Sequence, residues 1–350
     1  MLLSRRALFT HPKGGSPSAP KVRPEPASYN PSAGYWVHLS RPAMACKFEI
    51  TLPSELSEFL DAANGALDAI DALEAQLTIF RDTSELAAIN RDAAAGPVRV
   101  ESQLFALLSL CKTLHRETAG AFDITSTPLS RTWGFLRRQG RLPTAEELSA
   151  ALANVGMDKV GLGSKMKTVR FAQPGISLNL GGIGKGYALD RVAGDLYAAG
   201  LDTALLSAGS SSLRAVGAGP TGDGYKVGVR DPFNHKRRYG TITLRDNALG
   251  VSGAGEQFFE CEGRRYGHIL DPRTGWPVDG RALVAVTAPT ATLADALATA
   301  FFVGGREVAE RYIQQHPDVG VVLMDMPLPG QRPEPLILGR NTQWRVNRAA

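Results

Sequence analysis

Four stretches of this 350-residue chain gather residue types able to do chemistry. The first is Leu178-Asn179-Leu180-Gly181-Gly182-Ile183-Gly184-Lys185-Gly186-Tyr187-Ala188-Leu189-Asp190, where an apolar run meets four glycines and then a helical pattern. Small residues at such a corner let backbone N–H groups converge at a helix N-terminus, where the dipole favours an anion, and Lys185 adds a positive charge. It is not a Walker A loop, because Asn179 and Gly186 occupy required Gly and Ser/Thr positions. It is not G-x-G-x-x-G either, because Tyr187 replaces the last Gly. By itself it could also be a tight strand-to-helix turn with no ligand. In the second stretch, Thr292-Leu293-Ala294-Asp295-Ala296-Leu297-Ala298-Thr299-Ala300-Phe301-Phe302, Asp295 and Thr299 lie four apart and share a helical face among alanines. Their oxygens suit a hard cation such as Mg²⁺; the alternative is Thr292 as N-cap, with Asp295 serving the helix N-terminus.

The third stretch, Tyr266-Gly267-His268-Ile269-Leu270-Asp271-Pro272-Arg273-Thr274-Gly275-Trp276-Pro277, runs a strand into an Asp-Pro turn. His268 at its end could act as a base near neutral pH or be a structural histidine. His11, His38, His115, His235 and His316 have no comparable setting. In the fourth, Gly120-Ala121-Phe122-Asp123-Ile124-Thr125 with Trp133-Gly134-Phe135 could wall a flat ligand. Gly217–Gly222 also spells G-x-G-x-x-G, but Pro220 lies inside it and a strand pattern follows, so it reads as a hairpin loop.

These residues need elements to hold them. Apolar residues recur at helical spacing from Pro53 to Leu77, opened by Ser54 as N-cap, and again from Ser102 to Thr118, stopped by Gly120. Thr144-x-x-Glu147 is a capping box for a helix at Ala145–Ala153. Cys46–Leu52 reads as a strand, followed by strand patterns at 168–171, 176–180, 203–207, 224–230, 239–245, 256–261, 282–287 and 319–324. Helical patterns at 185–199, 292–303 and 305–315 interrupt them. Short glycine-containing turns such as Cys261-Glu262-Gly263-Arg264 imply antiparallel hairpins, and the mixture reads as α+β in one body. Residues 1–35 form a Pro/Gly-rich arm, 36–340 the globular domain and 341–350 a tail.

The formal charge of +5 is scattered rather than clustered, which argues against nucleic-acid binding. No stretch is long and apolar enough for a membrane helix, and the late apolar run carries Asp295. Cys46, Cys111 and Cys261 stand far apart, with no Cys-x-x-Cys, and read as buried or partly buried thiols. Arg5-Arg6 is not followed by the apolar segment of an export signal, so the expected location is the cytoplasm.

Together the motifs resemble the ApbE family of FAD:protein FMN transferases, from about Trp36 to Met324. In family order they are Ser84-Glu85-Leu86 through Ile89-Asn90, Gly120–Thr125, Leu180–Ala188, Tyr266–Gly275 and Ala294–Ala300. The resemblance implies a single T-fold-related body of mostly antiparallel sheet with flanking helices. It implies Mg²⁺-dependent transfer of the FMN moiety of FAD to a Thr or Ser hydroxyl of an acceptor protein, with release of AMP. The metal ligands it implies are Asp295, Thr299 and the Gly184 carbonyl. FAD contacts would come from Met44, Phe80, Ala121, Phe122, Asp123, Thr125, Gly182, Lys185 and Ala188. His268 would be the base, Lys185 would hold phosphate, and Asp271 would shape the catalytic site. Asn179 stands where the family usually has Asp, which removes a negative charge near the metal. An FAD pyrophosphatase using the same phosphate chemistry, and a non-catalytic FAD-binding protein, are the competing expectations.

Overall fold

The computed structural model describes residues 34–234, 236–328, 330–331, 333–339 and 344–346. The arm set apart by the sequence, with Arg5-Arg6, lies outside them except at its last two residues. An eight-stranded sheet forms the spine, in the order Trp36–Ala43, Cys46–Pro53, Ala204–Ala208, Ser212–Val216, Ala248–Gly253, Arg281–Ala288, Gly320–Asp325 and Leu336–Leu338. Each neighbouring pair is antiparallel. Smaller antiparallel sheets flank it, among them the hairpin Phe258–Cys261 with Arg264–Gly267. Trp344–Val346, inside the expected tail, pairs with Arg238–Leu244. The α+β, mostly antiparallel architecture therefore matches the expectation.

Two helices on the sheet carry the glycine and alanine motifs. Gly184–Ala198 packs Leu189, Val192 and Leu196 inward, and Ala291–Gln315 buries nearly every residue of its first three turns. Alanines allow that helix to lie close to the sheet, and glycine closes the remaining gap. A Cβ on Gly250 would collide with the Ala294 carbonyl, and one on Gly186 with the Ala291 carbonyl. The two late helical patterns join across Gly305, whose φ of 66° breaks the regular ladder.

Local signals were realised unevenly. The capping box at Thr144 and Glu147 forms as expected. Ser54 does not cap a helix: Ser54–Phe59 is a 3₁₀ segment, and the α-helix begins at Leu60. Thr292 is not the N-cap of the late helix. Thr290 accepts the Leu293 N–H there, and Asp190 receives the N–H groups of Ala291 and Thr292 together with the Thr292 hydroxyl. The stretch 176–180, expected as a strand, joins no ladder and is not one. Asn90 takes the missing strand's part, its amide accepting from Leu178 N–H at 2.7 Å and donating to Leu178 O at 2.9 Å.

Candidate active site

The glycine corner and the late helix meet. Leu180 O accepts the N–H groups of Ile183 and Gly184, which curls residues 181–183 into a tight turn before the helix starts. Asn179 Oδ1 accepts the Gly181 N–H at 2.9 Å. Gly186 N–H donates to Asp295 Oδ2 at 3.1 Å, and Ser212 Oγ donates to Asp295 Oδ1 at 2.9 Å. A Cβ on Gly182 would touch Thr299 Oγ1 at 3.4 Å and the Phe122 ring at 3.7 Å. Asp295, Thr299, Gly182 and Gly186 thus form one corner, bounded by the N-terminal turns of two helices. The Asp295 carboxylate is buried between neutral donors, with no cationic partner among the described residues. That is costly for a charge unless a cation also approaches.

A cleft of about 470 Å³ lies beside this corner, lined by its neighbours Gly181, Gly184 and Lys185, whereas Gly182, Gly186, Asp295 and Thr299 themselves do not line it. Asn179, Met44, Phe80, Glu256 and Gln257 line it together with those three. Lys185 Nζ donates to Ser211 Oγ at 2.5 Å inside the cleft. Met44 and Ala45 form the hairpin tip between the first two strands, with φ of 48° and 60°. Neither residue type favours that left-handed turn, so the hairpin holds strain where Met44 faces the cleft. Phe80 is 74% exposed, with an open ring face.

His268 is tied to the cleft through Gln257. Its N–H and its ring Nδ1 both lie 3.0 Å from the Gln257 carbonyl. A carbonyl can only accept, so Nδ1 carries the proton and the neutral ring offers Nε2 as the basic atom. Burial pushes the imidazole below its ordinary value and Lys185 adds to that, while the Gln257 carbonyl and Glu256 pull the other way. His268 lines a smaller cavity of about 110 Å³ rather than the cleft itself.

Other expected site residues lie outside the cleft. Both carboxylate oxygens of Asp271 bind Arg273, at 2.8 Å each, which suits it to holding the turn rather than to moving a proton. Ala188 is fully buried in the core, and Ala121 is buried as well. Asp123 Oδ1 accepts from Thr125 N–H and Oγ1, its Oδ2 lies 3.1 Å from His115 Nδ1, and Gly156 N–H donates to Thr125 Oγ1. Asp123 and Thr125 therefore brace the segment that presses Phe122 onto the glycine corner. Trp133 does not wall the cleft: it packs with Phe259, Tyr266 and Trp276 in a separate apolar cluster. Nothing in its sequence neighbourhood singled out His115, and no sequence signal pointed to Ser211, Ser212, Glu256 or Gln257.

The Asp123 carboxylate raises the pKa of His115, which also contacts the Phe122 carbonyl at 3.2 Å. A histidine raised in the folded state contributes stability below its unfolded pKa, and that contribution fades as pH rises through the folded value. Thermal melts of the protein should therefore lose stability as pH climbs from about 6 through neutrality. In His115→Gln that slope should flatten; an unchanged slope would remove His115 as its source.

The profile of the ApbE family matches residues 44–323. The FAD:protein FMN transferase of Treponema pallidum is 32% identical, over 80% of this chain and 81% of its own. The enzyme of that name from Vibrio cholerae is 30% identical, over 77% and 82%. The crystal structure of the ApbE protein of Thermotoga maritima superposes with a TM-score of 0.77 at 29% identity, covering 86% of this chain and 97% of that one. The flavin transferase ApbE of Vibrio cholerae gives 0.73 at 26%, with the same coverage. The chain belongs to the ApbE family.

Proposed function

We propose that this protein is an FAD:protein FMN transferase, moving the FMN moiety of FAD onto a Thr or Ser hydroxyl of an acceptor protein and releasing AMP. The supporting observation is a single cleft lined by Gly181, Gly184, Lys185 and Gln257, in which the Gln257 carbonyl orients His268 beside it. In this reading Met44 and Phe80 hold the isoalloxazine ring between thioether and aromatic face. Lys185 and the N–H groups of the glycine turn hold the pyrophosphate oxygens. His268 Nε2 accepts the acceptor's hydroxyl proton as that oxygen attacks the FMN-side phosphorus. The bond to the AMP phosphate breaks, and AMP keeps its electron pair.

The corner also fits Mg²⁺. No group of three His, Cys, Asp or Glu side chains that could hold a metal occurs among the described residues, so a soft or tightly caged ion is not indicated. One carboxylate of Asp295, the Thr299 hydroxyl and the Gly184 carbonyl make a sparse, all-oxygen set, which suits an ion that keeps water and phosphate oxygens. A cation bound there would neutralise charge on the pyrophosphate and the departing AMP.

Mass spectrometry of a candidate acceptor, incubated with FAD and Mg²⁺, should show the mass of FMN added at a Thr or Ser. Chelation by EDTA should prevent it. Free FMN and AMP without an adduct would indicate a pyrophosphatase instead, and bound FAD with no AMP would indicate a carrier.

A further inference from the structure

We infer that the acceptor segment docks as an added β-strand along the outer edge of Arg264–Gly267, which carries its hydroxyl residue to His268. The inference rests on the transferase reading above. Phe258–Cys261 and Arg264–Gly267 form a two-stranded sheet, with no third strand among the described residues. Glu262 and Gly263, both at positive φ, make the two-residue turn that closes Cys261 opposite Arg264 as a hydrogen-bonded pair. Antiparallel alternation then makes Arg265 and Gly267 members of non-bonded pairs, so their N–H and C=O groups point outward. His268, one residue on, returns its N–H to Gln257 O in the same alternation. Among the described residues, no backbone bond outside the hairpin ladder reaches the outward groups of Arg265 and Gly267.

That edge borders a trough ending at His268. Beyond the turn at Asp271 the chain comes back beside itself, with Leu270 bridged to Pro277 and Val278 N–H donating to Ile269 O at 2.9 Å. The two segments then part. The cavity of about 110 Å³ lies in the fork, lined by Gly267, His268, Val278 and Gly280 among others. A second cavity, of about 270 Å³, continues along Arg264, Tyr266, Trp276 and Pro277. Arg265, Val278 and Asp279 line both. The exposed Arg264–Asp279 ion pair spans the mouth at 2.8 Å, and such a pair can yield at little cost.

An open strand edge is a liability unless something uses it. This one leads directly to the histidine that must meet the acceptor's hydroxyl. Strand addition draws affinity from main-chain bonds, so the enzyme would need an extended segment more than a long specific sequence.

Two measurements test the docking mode. Proline at Arg265 deletes an outward N–H and leaves the hairpin ladder intact, whereas alanine removes the same side chain and keeps the N–H. With the acceptor protein whose adduct has been mapped, Arg265→Pro should lower kcat/KM for transfer about ten-fold, the effect of one main-chain bond lost with its partner left unpaired. Arg265→Ala should stay near the parent, and both should bind FAD as the parent does. In a peptide spanning the labelled residue, backbone N-methylation should block transfer at alternate positions only. Parent-like rates for Arg265→Pro, or equal labelling of every N-methylated peptide, would overturn strand addition while leaving the transferase reading in place. A dimer that Arg265→Pro converts to monomer at full transfer rate would assign the edge to a second copy instead. A parent protein that labels no acceptor would overturn the reading and this inference together.

Discussion

In Asp295→Asn, Mg²⁺ should no longer raise the melting temperature, and flavin transfer should fall by about 10²–10³-fold, the scale of losing one preorganised electrostatic stabiliser. The substitution keeps the shape of the side chain and removes its charge. In the parent, the carboxylate accepts one hydrogen bond on each oxygen, from Gly186 N–H and Ser212 Oγ, and is buried among alanines. These donors and the two helix N-termini offset part of the charge but bring no full positive charge to it. A divalent ion would supply that charge and stabilise the folded state by mass action, roughly 2.7 kcal/mol at a hundred times its dissociation constant. Without the ion, the Asn carbonyl can keep the Gly186 N–H while its amide N–H donates to Ser212 Oγ, a hydroxyl that can also accept, so the metal-free variant should stay near the parent's stability. Melting curves in Mg²⁺ and in EDTA separate the two effects. A variant still stabilised by Mg²⁺ as strongly as the parent would show that Asp295 does not hold the ion, whatever happened to its activity.

The sequence made the supporting helices legible because their information is local. Apolar spacing marked Ser102–Glu117, the Thr144 and Glu147 pair marked Ala145–Leu152, and the separate helical patterns at 292–303 and 305–315 fell either side of the break in the late helix. The glycine corner was legible for the same reason: four glycines before a helical pattern leave few conformations other than a turn. The strand expected at 176–180 does not form: residue types cannot reveal whether a neighbouring strand or a side chain such as Asn90 satisfies the backbone there. The direction of a polar side chain was equally hidden. Asp123 and Thr125 carry suitable groups, yet they turn toward His115 and Gly156. Ser212 reaches Asp295 across 83 positions of sequence, and Gln257 reaches His268 across 11 through a main-chain carbonyl that any residue could have supplied. Such partners come from sheet register rather than residue type.

Replacing His268 by Ala should reduce transfer by about 10²–10⁴-fold, the usual contribution of a positioned general base, while FAD binds with near-parent affinity. The imidazole lines the small cavity outside the cleft, so its removal leaves Lys185, Phe80 and the glycine turn in place. The Gln257 carbonyl keeps its bond from the residue 268 main-chain N–H in the variant, so the segment around Gln257 should hold its course. The pH dependence gives a second reading of the same group. Only the neutral ring can take a proton, and burial holds its pKa below the ordinary value near 6.5. The parent's kcat/KM for the acceptor should therefore rise along an acidic limb centred below that value and be flat by neutral pH. The residual rate of His268→Ala should lack that limb altogether. A variant that keeps the limb would place the titrating base elsewhere, and one that transfers FMN at the parent's rate would remove His268 from the chemistry.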